Sequence, residues 1–132
     1  MQVPHPYQGR NGMITKNEWS QLTGAASDAN EPLAIKKDEK KPRVDLIDPE
    51  FLEDLGYVLK SGAVKYNDHN WRNGFKWSRL IGACFRHLLA IMRGENNDLE
   101  SGLPHTAHLS ACVMFLSWHM KHKPELDDRW KS

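Results

Sequence analysis

Residues 78–95 read SRLIGACFRHLLAIMRGE, and residues 105–122 read HTAHLSACVMFLSWHMKH. In the first stretch Leu80, Cys84, His87, Leu88, Ile91 and Met92 recur at spacings of three and four. In the second, His105, His108, Leu109, Cys112, Phe115, Leu116 and His119 do the same. That period predicts one apolar face on each of two helices. Gly94 with Asn96-Asn97 stops the first, a polar loop from Glu95 to Pro104 follows, and Pro124 closes the second. Upstream, a further helix opens at Asp48-Pro49-Glu50. Asp48 can cap its free N–H groups, Pro49 suits the first helical position, and Glu50 favours the positive end of the dipole. Leu52, Leu55, Val58, Leu59, Gly62, Ala63 and Tyr66 give that helix its face. Asn67-Asp68-His69-Asn70 ends it, and Trp71-Arg72-Asn73-Gly74 reads as a turn. No strand pattern competes, so the fold class is all-α, a bundle of three main helices.

These helices are apolar almost all round. Ile81, Phe85 and Leu89 lie off the main face of the first stretch, and Val113, Met114 and Trp118 off that of the second. Three helices cannot cover so much apolar surface alone. A homo-oligomer, with helices packed across a two-fold axis, is therefore expected to complete the bundle. The helical domain is placed at residues 44–132. Residues 1–43 show no sustained period, because Pro4, Pro6, Gly9, Gly12 and Gly24 interrupt every candidate element. They read as an extended or partly disordered arm whose apolar beads, Tyr7, Ile14, Trp19 and Leu22, suit wrapping over a partner subunit.

Composition excludes several classes. Eighteen Lys+Arg against seventeen Asp+Glu leave a net charge of +1, so the chain as a whole is no glove for a long nucleic acid. No apolar run is long enough to span a membrane, and Met1–Tyr7 lacks a signal pattern. Cys84 and Cys112 lie in apolar stretches and read as reduced core residues of a cytoplasmic protein, with a bridge between them left open.

Two constellations can carry chemistry. The first is His87 and Glu95, then Asp98 and Glu100, then His105 and His108. With the helix of the first stretch running from about Ser78 to Glu95, His87, Ile91 and Glu95 are spaced four apart and stack on one side of it. An antiparallel hairpin brings Glu95 and Asp98 near His105, with His87 and His108 one or two turns below. Carboxylates suit Mg²⁺ or Mn²⁺, and imidazoles shift the preference towards softer ions. A bound divalent metal would polarise a phosphoryl oxygen and ionise a water. On this reading Glu95, Asp98, His105 and His108 hold the metal, while His87 is a ligand or acid/base and Glu95 shares the catalytic role. The plainer alternative has His87 in the core, His105 as a cap, and Asp98 or Ser101 capping a turn. The second constellation is Lys65-Tyr66, Asn70-Trp71-Arg72, Lys76 and Arg79, with Arg86 nearby. Cations for phosphate and a flat ring for a base suit a nucleotide, and a helix N-terminus attracts anions. The alternative is a helix-linking turn with Trp71 as an oligomer anchor.

The ordered series Lys65-Tyr66, Asn70-Trp71-Arg72, Gly74, Arg86-His87-Leu88, Gly94-Glu95, Asp98 to Leu103, His105 and Ala107-His108 resembles the phage family of the dATP/dGTP diphosphohydrolase N-terminal domain. The resemblance covers residues 43–118. It implies helical, metal-dependent hydrolysis of purine deoxynucleoside triphosphates to monophosphate and pyrophosphate. The chain is also similar in spirit to MazG-like all-helical pyrophosphohydrolases, which are oligomers with an acidic Mg²⁺ site. It departs from their Glu-Glu-x-x-Glu and Glu-x-x-Asp pattern: Arg86-His87 and His105-x-x-His108 stand where acids would be. Either the metal differs, or the geometry differs, or binding persists without hydrolysis. The second functional expectation follows from that last option. It is a non-catalytic oligomer that sequesters a small (cyclic) nucleotide signal of host anti-phage defence. A purely structural oligomer is the third.

Overall fold

A computed structural model describes residues 15–23 and 32–132. The chain divides into two units, Met1–Lys41 and Pro42–Ser132. In the first unit, α1 spans Lys16–Thr23. Its start is a reciprocal cap. The Glu18 N–H donates to Thr15 Oγ1 at 3.2 Å, and the Thr15 N–H donates to Glu18 Oε2 at 2.6 Å. This helix corrects the expectation that no element survives in the arm: Thr15-x-x-Glu18 supplies the start signal, and the interrupting prolines and glycines lie outside it. Trp19 falls within α1, Leu22 is exposed, and Tyr7 and Ile14 lie outside the described residues.

The second unit holds α2 (Pro49–Tyr66), α3 (Trp77–Met92) and α4 (His105–His122). Short 3₁₀ turns at Val44–Leu46, Asn70–Asn73 and Pro124–Leu126 punctuate them, and the described residues contain no β-strand. Asp48 caps α2 as its sequence position predicts, its Oδ2 accepting from the Phe51 N–H at 3.0 Å. α2 ends where Asn67 adopts a positive φ of 73° and returns its N–H to Ala63 O. Positive φ at Asn67, His69 and Gly74 then reverses the chain into α3. Asn tolerates this conformation better than most residues, and Gly accepts it freely.

α4 is the shared helix, packed against α2 and α3. It meets α2 through small residues: Ala107 and Ala111 are buried with Val58, and Leu55, Leu59, Leu103 and Phe115 pack around them. Each small side chain lets the two backbones approach, but alanine brings little apolar area of its own. The buried stripe of α3 runs through Trp77, Leu80 and Ala90, with Cys84, His87 and Ile91 half-buried. Leu88 and Met92, expected on that face, are instead 47% and 82% exposed. Together with Phe85 and Leu89 they form a separate stripe at helical spacing. The apolar surface that motivates the expectation of a second copy is therefore present.

The described C-terminal residues return to the start of α3. The Trp77 indole N–H donates to Lys123 O at 3.1 Å, and the Arg129 guanidinium lies 4.8 Å from the Trp77 ring centroid. Asp128 accepts from both the Ser78 N–H (2.8 Å) and the Ser78 hydroxyl (2.5 Å). α3 has no side-chain cap from its own N-cap residue, Lys76, so a carboxylate 50 residues downstream supplies one. Cys84 and Cys112 are free thiols. Burial raises both, Cys112 to about 11, which leaves them unreactive as nucleophiles at neutral pH.

Candidate active site

α3 does not run to Glu95 as its sequence suggests. It stops at Met92, because Gly94 takes a φ of 91°. Gly94 N–H bonds to Ile91 O, and Glu95 N–H reaches back to Ala90 O, the hydrogen-bond pattern of a Schellman cap. The stop turns the Glu95 side chain across to the head of α4. The next residues close a tight reversal: Asp98 N–H to Leu103 O at 2.8 Å, Gly102 N–H to Asp98 O at 2.7 Å, and His105 N–H to Asn96 O at 2.9 Å. Asp98 Oδ2 accepts from the Ser101 N–H at 3.0 Å. The plainer role for Asp98, capping a turn, is thus one that it performs.

This framework assembles three imidazoles. His105, almost fully buried, lies with Nε2 3.0 Å from Glu95 Oε2 and Nδ1 2.9 Å from His87 Nδ1. The proton positions follow from the partners. The Glu95 carboxylate accepts from His105 Nε2–H, so a neutral His105 accepts at Nδ1 from His87 Nδ1–H, and the lone pair of His87 falls on Nε2. His87 stacks on His108, with ring centroids 5.0 Å apart and planes at 9°. The Ser101 hydroxyl oxygen accepts from the Leu103 N–H and forms a 2.7 Å hydrogen bond with His108 Nε2. Asp98 Oδ2 stands 3.8 Å from the same nitrogen. Burial holds His87 below the ordinary histidine value, and the neighbouring His108 and His105 push the same way. Burial also lowers His108, with Asp98 opposing. Asp98 itself is lowered, chiefly by the Ser101 backbone N–H. The result is a pair of stacked imidazoles kept neutral near pH 7.

A cleft of about 800 Å³ opens between the second half of α2, the 3₁₀ turn at Asn70–Asn73 and α4. Lys65, Tyr66, Asn70, Trp71, Arg72 and His108 line it. Its wall is aromatic: Trp71 stacks on Phe115 (4.7 Å, 20°) and meets Trp118 edge-on (5.2 Å, 84°). The Arg72 guanidinium lies 5.1 Å from the Trp71 centroid and 5.9 Å from that of Trp118, so cation–π attraction holds it at the rim. Lys65 Nζ pairs with Glu100 Oε1 at 2.8 Å.

The structure thus brings together four of the seven residues expected to bind substrate: Lys65, Asn70, Trp71 and Arg72. Lys76, Arg79 and Arg86 do not line the cleft. Asp128 supplies a negative charge at the head of α3, near Lys76. Its carboxyl is held low by Ser78 first, with Lys76 adding to the effect. Arg79 lies over the Phe75 ring at 5.6 Å, and Arg86 is exposed beside Gly82. The four expected metal ligands separate into two pairs, Glu95 with His105 and Asp98 with His108. Among the described residues no three His, Cys, Asp or Glu side chains group as a metal site. In this arrangement Glu95 and His105 hydrogen-bond each other, and Asp98 and His108 are each bonded to Ser101. Ser101, Phe115 and Trp118 were not among the expected site residues. Asp98-x-x-Ser101 is a recognisable side-chain turn. The two aromatics read equally well as core.

A family model described as "dATP/dGTP diphosphohydrolase, N-terminal" matches residues 32–129, which include the cleft and the histidine cluster. A protein of Salmonella phage PMBT28 named dATP/dGTP diphosphohydrolase is 41% identical over 95 residues, 72% of this chain and 32% of its own length. The chain therefore spans about a third of that relative. No solved structure matches. With the family model covering most of the chain and both halves of the site, the protein belongs to the dATP/dGTP diphosphohydrolase N-terminal family.

Proposed function

We propose that the cleft binds a purine deoxynucleoside triphosphate and that the adjacent histidine cluster promotes its hydrolysis to monophosphate and pyrophosphate. One observation carries this: His108 belongs both to the cleft wall and to the neutral imidazole stack. The aromatic wall suits the base, and Lys65 and Arg72 suit the phosphates. A water oxygen attacks the α-phosphorus, and the bond from phosphorus to the bridging oxygen breaks. The water proton passes to the His87/His108 pair, and pyrophosphate leaves. Glu95, acting through His105, offsets the charge that then develops on His87. General-base help of this kind is worth about 10²–10⁴ in rate. The family name and the relative's name support the substrate class.

A divalent metal held by Glu95, Asp98, His105 and His108 would require Glu95 and His105 to give up their mutual hydrogen bond, and Asp98 and His108 to give up their bonds to Ser101. Their existing hydrogen bonds do not fit the ion. The test is to incubate the chain with dATP or dGTP, in Mg²⁺, in Mn²⁺ and in chelator, and to measure released pyrophosphate. His108→Asn is compared with wild type. Release that falls at least about 100-fold in the variant, with helical circular dichroism intact, is the expected result. Nucleotide bound without release would favour the sequestering alternative. No binding would refute both.

A further inference from the structure

Lys65 belongs to two settings at once. It lines the cleft that also contains His108, and its ammonium is 2.8 Å from Glu100, on the loop between α3 and α4. Glu100 raises the Lys65 pKa, first by the hydrogen bond and then by its charge, so the ammonium stays charged. Lys65 needs no such partner for helix stability: it lies in the last turn of α2, where the dipole already favours a cation. Both side chains are largely in water, 51% and 78% exposed, so the pair exchanges partners cheaply. The same loop carries Asp98 and Ser101, the partners of His108. The pair therefore ties the loop that holds Asp98 and Ser101 to α2, which forms part of the cleft wall.

We infer that Glu100 is the resident counter-ion of a phosphate site at Lys65, holding the ammonium at the cleft until a ligand phosphate displaces the carboxylate. This rests on the nucleotide reading above and assigns Glu100 a positioning role, exerted through Lys65. A ligand that brings phosphate must compete with Glu100. An uncharged nucleoside leaves the pair intact.

Calorimetry at low salt would compare dGTP and deoxyguanosine on wild type, Glu100→Gln, Lys65→Met and the double variant. Both positions are exposed, so the variants should keep their helical circular dichroism. Glu100→Gln should bind dGTP about threefold to fivefold more tightly, the scale of an exposed ion pair, with deoxyguanosine unchanged. In the Lys65→Met background the gain should fall below about 1.5-fold. Unchanged or weaker dGTP binding in Glu100→Gln would overturn the assignment. An equal gain in the Lys65→Met background would also overturn it, since that is general repulsion by Glu100. Wild type binding deoxyguanosine but not dGTP would overturn the phosphate site alone, while binding of neither would bring down the nucleotide reading with it.

Discussion

The two ends of α4 use histidine in opposite ways. At the C-terminal end, His119 is fully buried, and both ring nitrogens meet backbone: Nδ1–H donates to Phe115 O at 2.7 Å, and Nε2 accepts from the Phe75 N–H at 3.0 Å. At the N-terminal end, His105 is nearly as buried, yet both of its nitrogens meet titratable side chains, Glu95 and His87. Burial is thus similar and chemistry is not. A backbone partner cannot take or give a proton at ordinary pH, so it locks the ring into one tautomer. A carboxylate or a second imidazole can exchange a proton with the ring. Histidine on an apolar face is ambiguous in sequence, and the partner set decides which kind it is.

The contrast can be broken first at the structural end. His119→Ala removes the acceptor of a buried backbone N–H and leaves a ring-sized void. Both effects point to a loss of about 3 kcal/mol, measurable by denaturant titration. His108→Asn at the other end should cost about 1 kcal/mol or less, since it is only partly buried. Equal losses at the two positions would mean that the N-terminal cluster is core as well. A smaller effect sharpens the account of the structural end. Asp128→Ala removes the cap from α3 and should cost about 1 kcal/mol, without altering nucleotide affinity, because the head of α3 lies outside the cleft. A nucleotide affinity that falls with Asp128→Ala would restore Lys76 and Arg79 to the binding site.

Much of the helical architecture was legible in the sequence. The Asp48-Pro49-Glu50 start and the His105–His122 span stand where periodicity and capping chemistry put them. What failed locally has local causes. Glu95 was stacked on the helix of His87 and Ile91, but Gly94 ends α3 first, and Glu95 still reaches His105 because the cap swings it back. Leu88 and Met92 fit a helical period yet belong to a second, exposed stripe, which periodicity cannot rank without knowing the neighbour. The non-local features were not legible. Asp128 reaches Ser78 across 50 residues and Glu100 reaches Lys65 across 35, and no spacing rule encodes either. The site followed the same division. Lys65, Asn70, Trp71 and Arg72 share a cleft because the turn after α2 folds towards α4. Lys76 and Arg79 sit only a few residues on, at a helix end already supplied with a carboxylate.

If cleft and histidine cluster form one site, ligand acts on His87 and His108 directly and on His119 through the cleft-lining rings of Phe75 and Trp118. Nuclear magnetic resonance of the imidazoles tests it directly, with the chain titrated by dGTP. The His87 and His108 resonances should move with ligand and saturate together, and by more than that of His119. Shifts confined to His119, or saturable dGTP binding that leaves His87 and His108 unmoved, would contradict it.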